Sequence, residues 1–542
     1  MIVLLLAAAS AGPGCRGAKS PPGQTDSDGE ARHEPPVADT GYGPEVGLAI
    51  YQDLVQATRS YHVFSDQTWE NLGFTWQDEL PRLEEEFSSV EDRADLLRAI
   101  NHFAGSLHNP HCHYGSPDRA SNLTPGFVIE VEWIGDEPRF HVAEVLDPDL
   151  GERIRPGDTL VSYQGVEASD FLTTFHLESS GNHWRSIARD IAGFFSRQSP
   201  HRHGTLERAE WGFQRPGSRD VVTVTARWRQ PGDEGHPGEF GIDYEEDGCA
   251  GLPHRDYGDG YAIRAVGANY CIYTTSEGPG RAYPVVRQFS FSYSGKNGFS
   301  SLRADHRNLE TFLGSLEDAR GVILDLRDNR GGNNPHWFLD WWAPPVPYES
   351  TMVYVRLHED LDTARKLEQA RITGFGPPHL ESYLEALAGK APGQDFMPGR
   401  PFFCPRTGCE GFDNVYHPDS QVTELPVAIL VGPRCVSSCD DVVRTFREYD
   451  LGPVVGTAGS AGFTIKRMQH AVRHPASGED LGYVALAFSY ETSGKTGERL
   501  EAVVVDPHHV VEPTFENRDR YDALLVQTAI EAFASFPFPE GQ

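Results

Sequence analysis

Apolar positions recur at helical spacing from Val46 to Phe103. Leu48, Tyr51, Leu54 and Val55 share one face, and Leu80, Leu83, Phe87 and then Leu96, Leu97 and Ile100 continue the repeat. This spacing predicts about three helices, a bundle or cap over residues 45–120. From Thr124 the pattern turns β-like: FVIEVEWIG and PRFHVAEVL alternate or run apolar, and a further strand is expected over Val221–Trp228. Residues 172–215 have helical character, so the β-rich unit, 124–230, is read with a helical insertion. After a loop-like stretch at 230–262, strands are expected at Asn269–Tyr273 and Val285–Phe291, and a helix over Ser301–Leu316. Two wholly apolar strands follow, Val322–Leu326 and Val427–Val431. The second breaks at Gly432-Pro433, passes Ser437 and Ser438, and enters an amphipathic helix with Asp440 and Asp441 in its first turn. Val454-Val455-Gly456 and Gly482–Tyr490 read as strands, and an amphipathic helix, Arg518–Phe533, closes the chain. Buried apolar strands alternating with helices predict a parallel-containing sheet with its functional loops at the strand C-ends. The α/β core is assigned to 262–535.

Composition adds the ends and the exclusions. Ile2 to Ala11 is apolar but too short to span a ~30 Å hydrocarbon layer as a helix. With the small residues and Cys15 that follow, residues 1–15 read as a secretory or lipoprotein signal, with Cys15 as the candidate lipid anchor. Residues 16–44 are rich in Gly, Pro, Ser, Asp and Glu and read as a flexible linker. Eight cysteines suit an exported protein, periplasmic or in the cell envelope. Cys249 with Cys271, Cys404 with Cys409, and Cys435 with Cys439 are candidate bridges that would leave Cys112 unpaired; buried free thiols are the alternative for each. The net charge of −32 offers no basic stripe for phosphate contacts, which excludes nucleic acid as the expected partner.

Candidate chemistry lies at three places. Ser437 and Ser438 sit at a strand-to-helix junction, where a hydroxyl is exposed beside backbone N–H groups. Gly331-Gly332 end an apolar strand, where a paired glycine lets backbone N–H groups approach an oxyanion. His108, His111, Cys112 and His113 have the ligand types of a zinc site, but no carboxylate or second ligand group accompanies them. Polar loop histidines, or one catalytic histidine with a partner elsewhere, are the other readings. No cofactor or metal is expected.

Several of these segments, in this order, resemble the serine peptidases that include the C-terminal-processing (tail-specific) proteases and the core domains of tricorn protease. Pro156-Gly157-Asp158, Leu160-Val161 and Gly165 resemble the turn-strand-turn signature of a PDZ domain, where a sheet edge takes up an extended peptide. GVILDLRDNRGG looks like the family's double-glycine segment, and CVSSCDDVVRTFREYDLGPVVG like its nucleophile segment. That register implies Ser437 as nucleophile, with Asp440 at the family's acidic position and Gly456 at the glycine ending the next strand. LEAVVVDP matches the late segment with a glutamate six residues before a proline, Glu501 and Pro507.

The resemblance implies a ClpP/crotonase-like α/β core behind an N-terminal helical bundle and a PDZ-like module. Where Ser–Lys members place a lysine, this chain has Gly462, and its nearest lysine is Lys466. The tricorn-like Ser-His-Glu branch is therefore the closer one, with His111 as general base, His113 or Lys466 as alternatives, and Glu501 orienting the imidazole. Backbone N–H groups of Gly331 or Gly332 and of Ser438 would form the oxyanion hole. Pro110 stands where that branch has a serine. The expected function is an exported serine peptidase acting on proteins or peptides; the alternative is an inactive peptide-binding relative.

Overall fold

In the computed structural model the described residues are 41–538, apart from 118–122, 198–207, 231–232, 234–248, 250–254, 259, 277, 294–298, 333–335, 350, 359–376, 392, 398–399, 402–414, 417, 419–420, 460–461 and 463–466. Cys15, Cys404, Cys409 and Lys466 lie outside them. Among the described residues no helix is long and apolar enough to cross a membrane.

Four helices lead the described chain: α1 (Pro44–Tyr61), α2 (Asp66–Leu72), α3 (Trp76–Ser88) and α4 (Arg93–Gly105). Their starts follow local chemistry. Thr75 and Asp78 form a capping box at α3, and the Asp92 carboxylate accepts the Asp95 N–H at α4. Ile50, Leu54, Leu83, Phe87, Leu96, Ile100 and Phe103 face inward, as the spacing predicts. They do not form a core of their own. Val472, Leu481, Val484 and Leu486, from beyond the nucleophile segment, complete it. The partition at residue 120 is therefore not a packing boundary, because four short helices cannot close their apolar faces without that hairpin.

The β-rich unit is an antiparallel sheet of β2 (Phe127–Ile134), β3 (Glu137–Val145), β4 (Thr159–Tyr163), β5 (Arg208–Gln214) and β6 (Val221–Arg227), in that spatial order; β1 (Tyr114–Gly115) lies elsewhere. The segment read as a helical insertion is integral to the unit. Helix α5 (Trp184–Ser196) buries Ile187, Ile191 and Phe195 against Phe127, Phe140 and Trp211, and Arg208–Gln214 is a central strand. The Ser196 hydroxyl accepts the Ile129 N–H at 2.6 Å, so α5 covers the outer edge of β2.

The third unit is a seven-stranded sheet. Its strands are β7 (Ala262–Val266), β8 (Tyr270–Thr274), β9 (Val285–Gln288), β10 (Val322–Asp325), β11 (Val427–Val431), β12 (Val454–Gly456) and β15 (His509–Val510). They are neighbours in that order, parallel from β9 onward, with β7 and β8 antiparallel. Alternate side chains serve two cores. Leu324 and Ile429 pack toward α6 (Ser438–Glu448), whereas Ile323, Ala428 and Leu430 pack toward α7 (Tyr521–Phe533). Coverage on both faces is why these strands read as unbroken apolar runs. The strand expected at Gly482–Tyr490 is instead two, β14 (Asp480–Ala487) and Ser489–Thr492, with Phe488 between them. β14 pairs with β13 (Arg467–Arg473) on one side and with β1 on the other.

Buried histidines give the fold a defined pH range. His62 and His108 are almost fully buried, and burial, with Arg356 and Arg499 near His62 and His176 near His108, pulls each down to about 3. His102 bridges Glu86 and Glu178 at 2.9 and 2.8 Å; burial opposes its charge, but the carboxylates raise it to about 9. The neutral pair contributes stability above the unfolded value near 6.5 that is lost as pH falls toward 3, about 2 kcal/mol each by pH 5. The His102 contribution is complete below 6.5 and lost as pH rises through about 9. Thermal unfolding should therefore give the highest Tm between pH 6.5 and 8, with lower values at pH 5 and pH 10. A Tm still rising at pH 5 would contradict this.

Candidate active site

The middle of the sheet feeds two turns that meet. β11 ends at Val431, and the chain turns through Val436 and Ser437 before α6 begins at Ser438. Ser437 has φ 63° and ψ −128°, a left-handed conformation that non-glycine side chains rarely adopt. Such strain persists only where surrounding contacts fix it. Here the Ser437 N–H donates to Gly462 O at 2.7 Å, the Cys439 N–H to Val436 O at 3.2 Å, and Cys435 is disulfide-bonded to Cys439. The bridge encloses Val436-Ser437-Ser438 in one small ring. Cys249 is likewise bonded to Cys271, and Cys112 is a buried free thiol.

The second turn follows β10. Gly331 (φ 80°) lies directly on the nucleophile turn: a Cβ there would be 2.6 Å from Val436 O and 2.8 Å from Ser437 Cβ. Asn329 shapes this loop, accepting the Gly331 N–H at 2.8 Å and donating to Gln288 O at 3.1 Å. The Gly331 N–H is thus occupied. Among the described residues, the N–H groups of Gly332 and Ser438 have no acceptor, and the Ser438 hydroxyl reaches Gly332 O at 3.4 Å. Two open donors therefore lie on adjacent turns beside Ser437. Asn329 lies in the DNRGG segment, where the paired glycines mark the turn but nothing in the spacing marks the asparagine that shapes it.

A buried ionic network anchors the double-glycine turn to the sheet. Arg327 grips Asp325 with two bonds, at 2.9 and 2.6 Å, and reaches Asp522 at 2.6 Å. Arg255 and Arg287 hold Asp328 at 2.6 and 2.7 Å, and the Tyr257 hydroxyl donates to Asp325 at 2.6 Å. Burial alone would raise Asp325, but Arg327, Arg255 and Arg287 hold it well below the usual carboxylate range. Removing one partner leaves an uncompensated buried charge, which typically costs 3–5 kcal/mol. Arg327→Ala should lose stability on that scale in chemical denaturation. A loss below about 1 kcal/mol would show that the network holds nothing.

His111 is delivered by the hairpin rather than by its own neighbourhood. β1 pairs Tyr114 with Val484 and Gly115 with Tyr483, and the Ala485 N–H donates to His113 O at 2.9 Å. The His111 N–H donates to Asn109 Oδ1 at 3.0 Å, and Arg467 Nη1 donates to His111 O at 3.4 Å. The Nδ1 atom of His111 is buried with no partner among the described residues. Burial, then the charges of Arg467 and His113, lower its pKa to about 3, which favours the neutral imidazole. The ring of His113 is engaged by Tyr483 at 3.4 Å and Arg467 at 3.5 Å.

Gly462 ties these parts to the nucleophile. Its carbonyl accepts the Ser437 N–H, and its N–H donates to Asp440 Oδ2 at 3.1 Å. The position that would carry a lysine is thus clamped onto Ser437, and it is glycine. From Gly462 only five residues lead to Arg467, bonded at His111, which at ~3.5 Å per residue spans at most ~18 Å. The His111 loop and the Ser437 turn are therefore tethered by one short segment. Nothing in the sequence marks Asp440 as the clamp on Gly462 or Arg467 as the link to His111. Glu501 is buried, and burial raises its pKa; its carboxylate accepts the Glu491 N–H at 2.9 Å and pairs with Arg499 at 3.1 Å. Among the described residues it makes no bond to His111.

Residues 286–510 match peptidase family S41. The matched S41 segment contains Gly331, Gly332, Ser437, Ser438 and Glu501, while His111 lies before it. No curated protein sequence matches the chain. Among solved structures, mature CPAF complexed with lactacystin is similar at a TM-score of 0.64 and 15% identity, covering 91% of this chain and 99% of that one. Mature CPAF gives 0.64 and 15%, covering 92% and 99%. A CPAF point mutant gives 0.58 and 16%, covering 90% and 98%. At these identities the likeness is one of fold.

Proposed function

We propose that the protein is a serine peptidase in which Ser437 attacks a peptide carbonyl, His111 takes the Ser437 proton and passes it to the leaving amine, and the N–H groups of Gly332 and Ser438 hold the oxyanion. The observation that carries this reading is the strained Ser437 turn, pressed against the double-glycine loop with two open backbone donors beside it. A neutral imidazole is the form a base requires. Glu501 acts behind the site, through the Ser489–Thr492 strand and the Arg499 loop, rather than by bonding His111 in this conformation. Gly331 supports the oxyanion site by close packing, since its own N–H is held by Asn329. We read the β-rich unit as PDZ-like. Export is supported by the two disulfides and the apolar N-terminal run, with Cys15 as the lipid anchor.

The His111 Nδ1, without a partner among the described residues, favours one second reading, an inactive peptide-binding relative. Strand addition at β2 suits that reading poorly, because α5 already covers that edge through Ser196. Hydrolysis of an unfolded protein such as casein tests the choice. Cleavage that is lost in Ser437→Ala and blocked by a serine-reactive inhibitor supports the peptidase; lactacystin, the compound in the CPAF complex, is a suitable first inhibitor. Cleavage that persists in Ser437→Ala would overturn the assignment.

A further inference from the structure

His108 stands three residues before His111, in the loop that carries the base, and has no part in the proton transfer itself. It is 1% exposed and has φ 42°, one of five non-glycine residues with positive φ among the described residues. Ser437 is another of the five, and Ala502, next to Glu501, is a third. A left-handed bend at a bulky residue costs energy and persists only where surrounding contacts over-determine it. At His108 the fixing contacts come largely from residues 176–181, between β4 and α5. A Cβ on Gly105 would overlap Leu177 O, so the end of α4 presses directly on that segment. The His108 N–H donates back to Gly105 O at 3.0 Å, its Nδ1 lies 2.9 Å from Gly181 O, and its ring stacks on His176 with centroids 5.8 Å apart. A carbonyl oxygen can only accept, so Nδ1 carries the proton and donates. Nε2 is then a buried lone pair with no partner among the described residues. An orphaned acceptor destabilises a buried ring, so packing alone would be served better by phenylalanine.

We propose that His108 is a positioning residue for the base: its Nδ1–H bond to Gly181 O fixes the bend from which the His111 loop departs. This rests on the reading of His111 as general base in a serine peptidase. Asn109 closes the loop that follows, its Oδ1 accepting the His111 N–H at 3.0 Å and its carbonyl the Cys112 N–H at 2.7 Å. Residues 109–112 therefore move as a unit, and a change of direction at His108 displaces the His111 ring. A displacement of ~1 Å at a reacting group costs roughly 10²-fold in rate. His108 is almost fully buried, so it acts through His111 rather than on substrate.

Three substitutions in the full protein separate the donor from the ring. Asparagine attaches its Nδ2 as histidine attaches Nδ1, and it tolerates a positive φ. Phenylalanine keeps the ring without the donor, and leucine has the shape of asparagine without the donor, so poor packing of one does not decide the result. Casein hydrolysis is measured for each, with Tm alongside. His108→Phe and His108→Leu should lose about tenfold or more in kcat with KM within about threefold of native, whereas His108→Asn should keep most of the native kcat. In His111→Ala, with the rate of fluorophosphonate labelling of Ser437 as the readout, the same substitutions should have no further effect, because nothing is left to position. Native kcat in both donor-less variants, His108→Phe more active than His108→Asn, or an equal loss in the His111→Ala background would overturn the positioning role and leave the peptidase reading intact. Loss of the folded state in both donor-less variants would do the same. Full activity in His111→Ala would overturn the base and this inference together, and cleavage that persists in Ser437→Ala would overturn the peptidase reading itself.

Discussion

Replacing His111 by alanine should lower kcat/KM about 10³–10⁴-fold, the loss expected when a general base is removed from an otherwise intact site. The reason is positional as well as chemical. The Ser437 hydroxyl needs a proton acceptor, and the residue whose carbonyl holds the Ser437 N–H, while its own N–H bonds Asp440, is Gly462, which has none. Arg467, five residues further on, leads to His111 and cannot serve as a base itself, because a guanidinium stays protonated. With His111 held near 3 by burial and by Arg467, the acid limb of the kcat/KM profile should fall well below the 6.5 of an ordinary histidine. Steady-state kinetics of His111→Ala from pH 4 to 8 checks both statements. Activity retained in His111→Ala and lost in Lys466→Ala would move the base to the 463–466 segment.

The second large effect is steric. Gly331→Ala puts a methyl group 2.6 Å from Val436 O and 2.8 Å from Ser437 Cβ, at a residue with φ 80°. Neither contact is with the end of a flexible side chain, so the two turns must separate. That apposition also brings the Gly332 and Ser438 backbones together, with the Ser438 hydroxyl reaching Gly332 O at 3.4 Å. Misplacing one oxyanion donor costs roughly 10²–10³ in kcat. Gly331→Ala should therefore lose at least 10²-fold in kcat, with a smaller change in KM. The turn is at the surface end of the sheet, so secondary structure should survive. A variant within threefold of native kcat would show that the two turns do not work as one unit.

What the sequence reveals here is local. Val427–Val431 and Val322–Leu326 read as buried strands because both faces are covered, and the helix at Ser438 is legible from Asp440, Asp441 and its apolar face. Paired glycines announce a close approach, and the structure supplies what approaches: Val436 O and Ser292. Non-local facts are not legible. Nothing near His111 indicates that a strand from residue 480 onward pairs beside it, or that the helices of 44–105 need that hairpin to complete their core. The helical reading of 172–215 failed at Arg208–Gln214, whose alternation is short, because strand partners on both sides, not local pattern, decide that segment. Glu501 illustrates the same limit: its spacing to Pro507 is visible in the chain, whereas its carboxylate is engaged by Glu491 and Arg499 rather than by the imidazole.

The central claim is that Ser437 is an activated nucleophile, and covalent labelling addresses it without any knowledge of the substrate. Native protein is treated with a fluorophosphonate and digested, and the peptide containing Cys435–Cys439 is examined by mass spectrometry. The account predicts one adduct, on Ser437 and not Ser438, that is absent from heat-unfolded protein and from Ser437→Ala, and formed at least 10²-fold more slowly in His111→Ala. No adduct on native protein, or an adduct that persists in Ser437→Ala, would contradict it.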